Sequence, residues 1–342
     1  MTELSYDERL KNALAEQHRK CFDQHRKALR PEYAEYIDCP VCDSSNKELF
    51  FEKDWFTFSR CRDCAMVYLN PRLNEQATYA FYNSDWNAIY NETKFDEVSS
   101  STRLDDEINQ ANLDRVLHAR NGARGALLEI GCGNGFFLRA AKAAGFEVSG
   151  LELNERNFRR SRADLGDGIL NLDLFSAGFP SDRFDVLYMR DVFEHVPNPK
   201  AMLKEMCRIA KPGCVVFIEV PNIEGLMYKM VRQRHICVFG FEHLNYWAPA
   251  TLGKLLETTG FTVREVIHSS LDFSLRDVFL AYSRPGFTTL FPDDSSPPVR
   301  KVADRLSRLF GHYPLVRWDP IVTRALANFM RRGSVIKVLA EK

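Results

Sequence analysis

Between residues 126 and 268 the chain alternates short apolar runs with amphipathic stretches of helical spacing. The runs are ALLEI (126–130), EVSGL (147–151), GILNL (168–172), VLYM (186–189), CVVFIEV (214–220) and TVREVI (262–267), and SVIKVLA (334–340) adds one more near the C-terminus. Short apolar runs of this kind fit buried strands, and strands alternating with helices predict a mainly parallel sheet with both faces covered. The intervening helices have recognisable stops: KAMLKEMCRIAKPG is expected to end at Pro212 and Gly213, and ATLGKLLETTG at Gly260. The predicted fold class is therefore α/β, doubly wound.

The rest of the chain reads differently. Residues 5–37 place Leu10, Leu14, His18, Cys21, Phe22 and Leu29 at roughly helical spacing, which predicts one or two surface helices. Residues 37–69 break into short runs around two cysteine pairs, and 72–119 are polar and helical with scattered aromatics. Two stretches, 222–247 and 269–333, interrupt the α/β alternation and are expected to be caps that select a substrate. The expected division is a helical segment (1–37), a small cysteine-bearing module (38–71), a helical lid or linker (72–120) and an α/β domain (121–342) carrying both caps.

Composition narrows the function classes. Lys plus Arg and Asp plus Glu both number 46, so no net field draws the chain to nucleic acid or to an anionic membrane. The N-terminus is charged from its third residue, and no apolar run approaches a membrane span, so a cytoplasmic protein with a small-molecule partner is expected. Oligomeric state is not legible.

Directly after the first run, LLEIGCGNGFFL places Gly131, Gly133 and Gly135 between a strand and a helix, where backbone N–H groups can approach a ligand closely. The spacing is GxGxG; Phe136 stands where the dinucleotide fingerprint GxGxxG needs its last glycine. Glu152 ends the second run and can accept both ribose hydroxyls, and Asp173 ends the third and can accept from an adenine amino group. Together EIGCGNG, these two acids, FPSDRFDVLYMRDVFEHVPNP and RIAKPGCVVFIEVPN resemble class I S-adenosylmethionine-dependent methyltransferases. The resemblance covers about residues 125–268 plus the last strand, and it implies a seven-stranded Rossmann-like sheet with an antiparallel last strand. It also implies S-adenosylmethionine as cofactor, with Glu129 and the glycine loop near its methionine moiety, Glu152 on the ribose and Asp173 near the adenine.

Cys39-Pro-Val-Cys42 and Cys61-Arg-Asp-Cys64 are two CxxC knuckles 18 residues apart, a spacing at which four thiolates close a structural zinc site. Asp43 and Ala65 stand where a glycine commonly permits the tight turn. With the downstream MVYLNPR, the knuckles resemble the N-terminal zinc ribbon of bacterial methyltransferases, many of which act on sugars or nucleotide-linked sugars.

Methyl transfer to a hydroxyl needs a base, and His243 (FEHLNYW) and His195 (FEHVPNP) are the candidates, His243 narrowly preferred because it lies in the insertion. Asp191, Glu194 and His195 resemble the metal-binding positions of ubiquinone-pathway O-methyltransferases and can hold a hard cation such as magnesium. Phe81, Tyr82, Trp86 and Tyr90 can offer ring faces to a sulfonium, and Arg300, Arg305 and Arg308 an anion site. The expected function is methyl transfer to a hydroxyl, or a carbon, of a sugar or nucleotide-sugar in glycan or natural-product biosynthesis. The alternatives are RNA or a quinone or phenolic acceptor, and a non-catalytic zinc-dependent interaction protein.

Overall fold

The computed structural model describes residues 5–90, 103–269, 301–302, 304–306 and 330–342. The chain divides into two compact units, one of Met1–Asp96, Pro221–Ala248 and His268–Ile336, the other of Glu97–Val220, Pro249–Ile267 and Lys337–Lys342. This partition cuts across the four segments expected from sequence. Residues 72–90 fall in the first unit and 103–119 in the second, and the insertion 222–247 joins the first.

The first unit begins with helix α1 (Tyr6–Cys21), started by Ser5, which accepts from Glu8 N–H while the Glu8 carboxylate takes the Ser5 N–H. Its apolar stripe is buried as expected, but the second half of 5–37 holds only a single 3-10 turn, Pro31–Tyr33, in place of a second α-helix. A short hairpin, β1 (Phe22–Asp23) with β2 (Ala28–Leu29), follows, because the Asp23 carboxylate takes the His25 and Arg26 N–H groups and turns the chain. A two-residue strand, β3 (Ala34–Glu35), later pairs with β7 (Arg72–Leu73). The cysteine-bearing module is an antiparallel sheet of β4 (Lys47–Lys53), β5 (Phe56–Cys61) and β6 (Val67–Leu69), extended by β13 (Asn245–Tyr246) from the insertion.

Helix α2 (Glu75–Tyr82) carries part of the aromatic group into this unit's core. Phe81 and Trp86 are fully buried there, Phe81 lies 4.8 Å from Phe241, and Trp86 stacks on Tyr90 at 4.9 Å. Phe81 and Trp86 thus fill a core rather than presenting faces to a cofactor, because large apolar surface is worth most when removed from water, while Tyr82 stays exposed.

The second unit is built on a sheet of order β10-β9-β8-β11-β12-β15-β14. These are β8 (Ala126–Ile130), β9 (Glu147–Leu151), β10 (Ile169–Leu170), β11 (Phe184–Arg190), β12 (Ala210–Pro221), β14 (Thr262–Ser269) and β15 (Val335–Glu341). β8 pairs parallel with β9 and with β11, and β11 with β12. β15 runs antiparallel to β12: Gly213 N–H and Lys342 N–H bond across the start of β12, and Asn222 N–H reaches Ser334 at the other end. The sheet is the doubly wound, seven-stranded, mostly parallel fold expected from sequence.

Between the strands lie α3 (Arg103–Ala119), α4 (Phe136–Ala143), α5 (Glu155–Leu165), α6 (Pro199–Ile209), and after the insertion helix α7 (Leu226–Val231), α8 (Pro249–Thr258). α3 is not a lid: Leu113 and Val116 share a core with Phe137, Leu138, Val186 and Phe217. α6 ends at Ile209, short of Pro212, and Ala210 already belongs to β12; Lys211, which precedes Pro212, is the residue that the proline drives to extended backbone. Among the described residues no helix is long and apolar enough to cross a membrane. Arg300, Arg308 and nearly all of the insertion 269–333 lie outside the described residues.

Candidate functional site

The glycine loop sits at the carboxyl edge of the second unit's sheet. Gly131 and Cys132 donate their N–H groups to Leu151 O at 2.8 and 2.9 Å, which ties the loop to the end of β9. Gly131, Gly133 and Gly135 have φ of 72°, 51° and 72°, the left-handed region that side chains disfavour. A Cβ on Gly131 would stand 2.4 Å from Val192 Cγ2 and one on Gly135 2.7 Å from Leu165 Cδ1, but one on Gly133 would meet no atom of the described residues within 4 Å. The outer glycines permit packing, and the middle one leaves a cradle.

Glu152 holds this cradle open. Its carboxylate accepts from Gly133 N–H at 2.8 Å and from Asn154 N–H at 2.7 Å, and Asn171 Nδ2 donates to its carbonyl at 2.7 Å. Burial raises its pKa, against the opposing pull of the N–H groups. An ionised carboxylate has about four acceptor positions, so acceptor capacity remains for ribose hydroxyls. Leu153, Leu172 and Phe175, at the ends of the adjacent strands, expose large apolar side chains beside these acids, surface a purine ring can cover.

Glu129 is buried within β8, and its Oε2 has no hydrogen-bond partner among the described residues. Burial drives its pKa well above the usual carboxylate range, with Arg190 pulling the other way. A buried acceptor without a donor is costly unless a ligand supplies one. The orphaned oxygen and the Gly133 cradle therefore fit a cofactor with a cationic end; the methionine moiety of S-adenosylmethionine is such a group. Asp173 is exposed, and its carboxylate accepts from Phe175 N–H, Ser176 N–H and the Ser176 hydroxyl at 2.8, 2.9 and 2.6 Å, so it caps its own turn.

His195 ends a short turn after β11, with Nε2 3.8 Å from Glu194 Oε1. Asp191, on a left-handed residue of φ 54°, does not gather with Glu194 and His195 into a set of ligand atoms, so the expected hard-cation trio is not assembled. His243 belongs to the first unit, in the turn before β13, where its N–H bonds Phe239 O at 2.9 Å and its ring lies 6.4 Å from Tyr246.

Also in the first unit, Cys39, Cys42, Cys61 and Cys64 bring their sulfurs within 4.8 Å of one another, with Cys39 to Cys64 at 3.4 Å and Cys42 to Cys61 at 3.5 Å. Thiolates about 2.3 Å from a tetrahedral ion stand roughly 3.8 Å apart, so the donor set and spacing fit zinc. The two knuckles share one backbone turn: Asp43 N–H bonds Cys39 O and Ala65 N–H bonds Cys61 O, with φ of 59° at Asp43 and 63° at Ala65. The left-handed residue expected to be glycine is present in geometry though not in identity.

Sequence reasoning missed a set of charges inside the strands. Glu219 and Lys337 pair at 3.1 Å, and Asn112 of α3 donates to Glu219 and Tyr188 and accepts from Lys337, all between 2.7 and 2.9 Å. Arg190 donates to Asn109 at 2.9 Å. The available signal was a charged residue interrupting an apolar run, as in FIEV and VIKV.

Comparison with known proteins decides among the uses of such a site. Residues 102–266 match the family described as "Methyltransferase domain". That match, to a methyltransferase domain, spans just under half of the chain. The chain is 32% identical over 123 residues to a ubiquinone biosynthesis O-methyltransferase of Azoarcus sp., covering 34% of this chain and 52% of that protein. A second relative of the same description, from Aeromonas salmonicida, is 25% identical over 174 residues, covering 47% of this chain and 73% of the relative. The chain thus spans about half the length of the first of these relatives. A solved SAM-dependent methyltransferase from Archaeoglobus fulgidus aligns at 22% identity with a TM-score of 0.45, over 69% of this chain and 94% of that one. The methyltransferase domain includes the glycine loop and every acid described at this edge, whereas the four cysteines lie before it.

Proposed function

We propose that this protein transfers the methyl group of S-adenosylmethionine to a hydroxyl oxygen of a small acceptor. The observation that carries the reading is the glycine cradle with its orphaned carboxylate: Gly133 open above, Glu152 bracing it and Glu129 Oε2 lacking a donor, inside a methyltransferase domain. When bound, the cofactor supplies an electrophilic methyl on a positively charged sulfur. Glu129 and the loop hold its methionine end, and Glu152 takes the ribose hydroxyls. Leu153 and Phe175 offer apolar surface to the purine.

The acceptor must lose its proton as the new C–O bond forms, and a neutral imidazole does this near physiological pH. His195 takes this role: its Nε2 faces the Glu194 carboxylate, which stabilises the imidazolium once the proton arrives. The narrow sequence preference for His243 thus gives way to His195, and His243 is retained as the second candidate. The relatives' description as ubiquinone biosynthesis O-methyltransferases favours a phenolic hydroxyl. One observation favours the sugar reading instead, the assembled four-thiol ribbon outside the matched segment. In that module zinc would be held by all four cysteines and would serve structure, since no ligand position stays open.

The test is transfer of labelled methyl from S-adenosylmethionine to two panels, catechols and nucleotide-linked sugars, with His195→Ala and His243→Ala alongside. Label in either panel, lost in a histidine variant that still binds cofactor, supports the reading. Cofactor binding with no transfer to any hydroxyl compound contradicts it.

A further inference from the structure

The insertion after β12 carries a group of hydrogen-bond donors outside the cofactor edge. Helix α7 ends at Val231, and the Arg232 N–H closes its last turn on Tyr228 O, which sets these two residues one turn apart. The chain then folds back twice, His235 N–H bonding Arg232 O at 3.0 Å and Val238 N–H bonding His235 O at 2.9 Å. Lys53, buried at the end of β4, donates from Nζ to Val238 O at 2.5 Å and so brings an ammonium to the same turns. All four of Lys53, Tyr228, Arg232 and His235 belong to the first unit, whereas the glycine loop belongs to the second.

The heads of these side chains are donors. His235 Nδ1 accepts from Cys237 N–H at 3.1 Å, so in the neutral ring the proton sits on Nε2. Burial, with the Lys53 ammonium beside it, lowers the His235 pKa to about 4, which keeps the ring neutral near physiological pH. The Tyr228 ring is buried with its centroid 6.3 Å from that of the imidazole, and burial raises its pKa, so its hydroxyl keeps the proton. Among the described residues, His235 Nε2, the Tyr228 hydroxyl and the Arg232 guanidinium make no hydrogen bond or ion pair. The charges that act on the two rings are both positive, Lys53 on His235 and Arg232 on Tyr228.

The backbone at Arg232 is strained. Its φ of 51° and ψ of −127° belong to the first central residue of a type II′ turn, a place that glycine normally fills. A side chain there costs free energy, and such costs gather at ligand sites. Arg232 is exposed, so burial does not offset that cost.

We propose that Tyr228, Arg232, His235 and Lys53 form a binding site for a phosphate group, free or carried as a monoester. The Tyr228 hydroxyl, His235 Nε2–H and the Arg232 fork donate to its oxygens, and Lys53 supplies positive charge. A phosphate offers a separate oxygen to each of these three donors, where a carboxylate has only two.

The test titrates the whole chain with inorganic phosphate, glucose 1-phosphate and acetate at one ionic strength, read by calorimetry and by thermal unfolding. Wild type should bind phosphate or its ester saturably and melt higher with it, and acetate should bind roughly tenfold more weakly. Tyr228→Phe, which removes only the hydroxyl, should weaken phosphate binding by about tenfold or more. Arg232→Gly should weaken it at least as much, while its ligand-free form melts no lower than wild type because glycine suits this backbone. An arginine that merely closed the helix would give no such loss of binding. Tighter binding of the ester than of inorganic phosphate assigns the site to a phosphorylated molecule, and the reverse assigns it to the free ion. Wild type that binds neither, acetate that binds as tightly as phosphate, or binding unchanged in both variants overturns the site. The cofactor reading stands or falls separately, on S-adenosylhomocysteine binding at the glycine loop.

Discussion

Replacing Glu152 by glutamine changes one atom and tests how the cradle is held. Each oxygen of the carboxylate takes a backbone N–H, Gly133 on one and Asn154 on the other. An amide offers a single oxygen, so one of the two N–H groups would face an NH2 donor instead. A hydrogen bond to a charged group contributes about 1.5–3 kcal/mol net. Losing one of them should loosen the loop by that amount, and because the same loop binds cofactor, affinity should fall by roughly 10- to 150-fold. Calorimetric titration with S-adenosylhomocysteine reads the affinity, and thermal unfolding without ligand reads the loop. The ligand-free variant should also melt lower. Affinity within twofold of wild type, with an unchanged melting temperature, would show that the carboxylate is not what braces Gly133.

Further outcomes follow from the same geometry. Burial raises the Glu129 pKa, so the folded state holds its proton more tightly than the unfolded chain; wild-type stability should therefore fall as pH rises from the ordinary carboxylate range toward the raised value. Glu129→Gln lacks this slope, and urea midpoints taken from about pH 5 to about pH 8 should show the variant gaining on wild type while losing cofactor affinity; parallel curves would refute the assignment. Ala65→Gly removes a side chain from a left-handed residue of φ 63° and should raise stability by about 1 kcal/mol, read as a shift in denaturation midpoint. Elemental analysis should find about one zinc per chain, lost in Cys61→Ser together with a lower melting temperature; metal-free wild type of the same stability would contradict a structural ion.

The parts of the fold that sequence revealed are those whose signal is local. ALLEI and EVSGL are short, mostly apolar runs with Gly125, Gly131 and Gly145 close beside them, and they appear as β8 and β9 with the same bounds. The cysteine spacing forecast a four-thiol cluster because two short turns bring each pair together by themselves. What stayed hidden depends on distant partners. Asn245 and Tyr246 become a strand only because β6 offers a free edge, and a two-residue pairing leaves no periodicity to read. Phe81 and Trp86 suit a core more readily than a cofactor lid from sequence, and their partners there are Phe239 and Phe241, more than 150 residues away along the chain. The hydrogen bonds of Arg190, Glu219 and Lys337 are hidden for the same reason: nothing in their own segments announces Asn109 and Asn112 on α3.

A calorimetric titration of the whole chain with S-adenosylhomocysteine, wild type beside Gly133→Val, puts the function to the question. Gly133 is the loop residue whose added side chain would meet empty space rather than protein, so valine there obstructs a ligand and strains one left-handed residue while leaving the packing around it untouched. Saturable binding by wild type and its loss in a variant that remains folded are the expected results. Wild type that takes up no ligand, or a valine variant that binds as well as wild type, would contradict a cofactor seated on this loop.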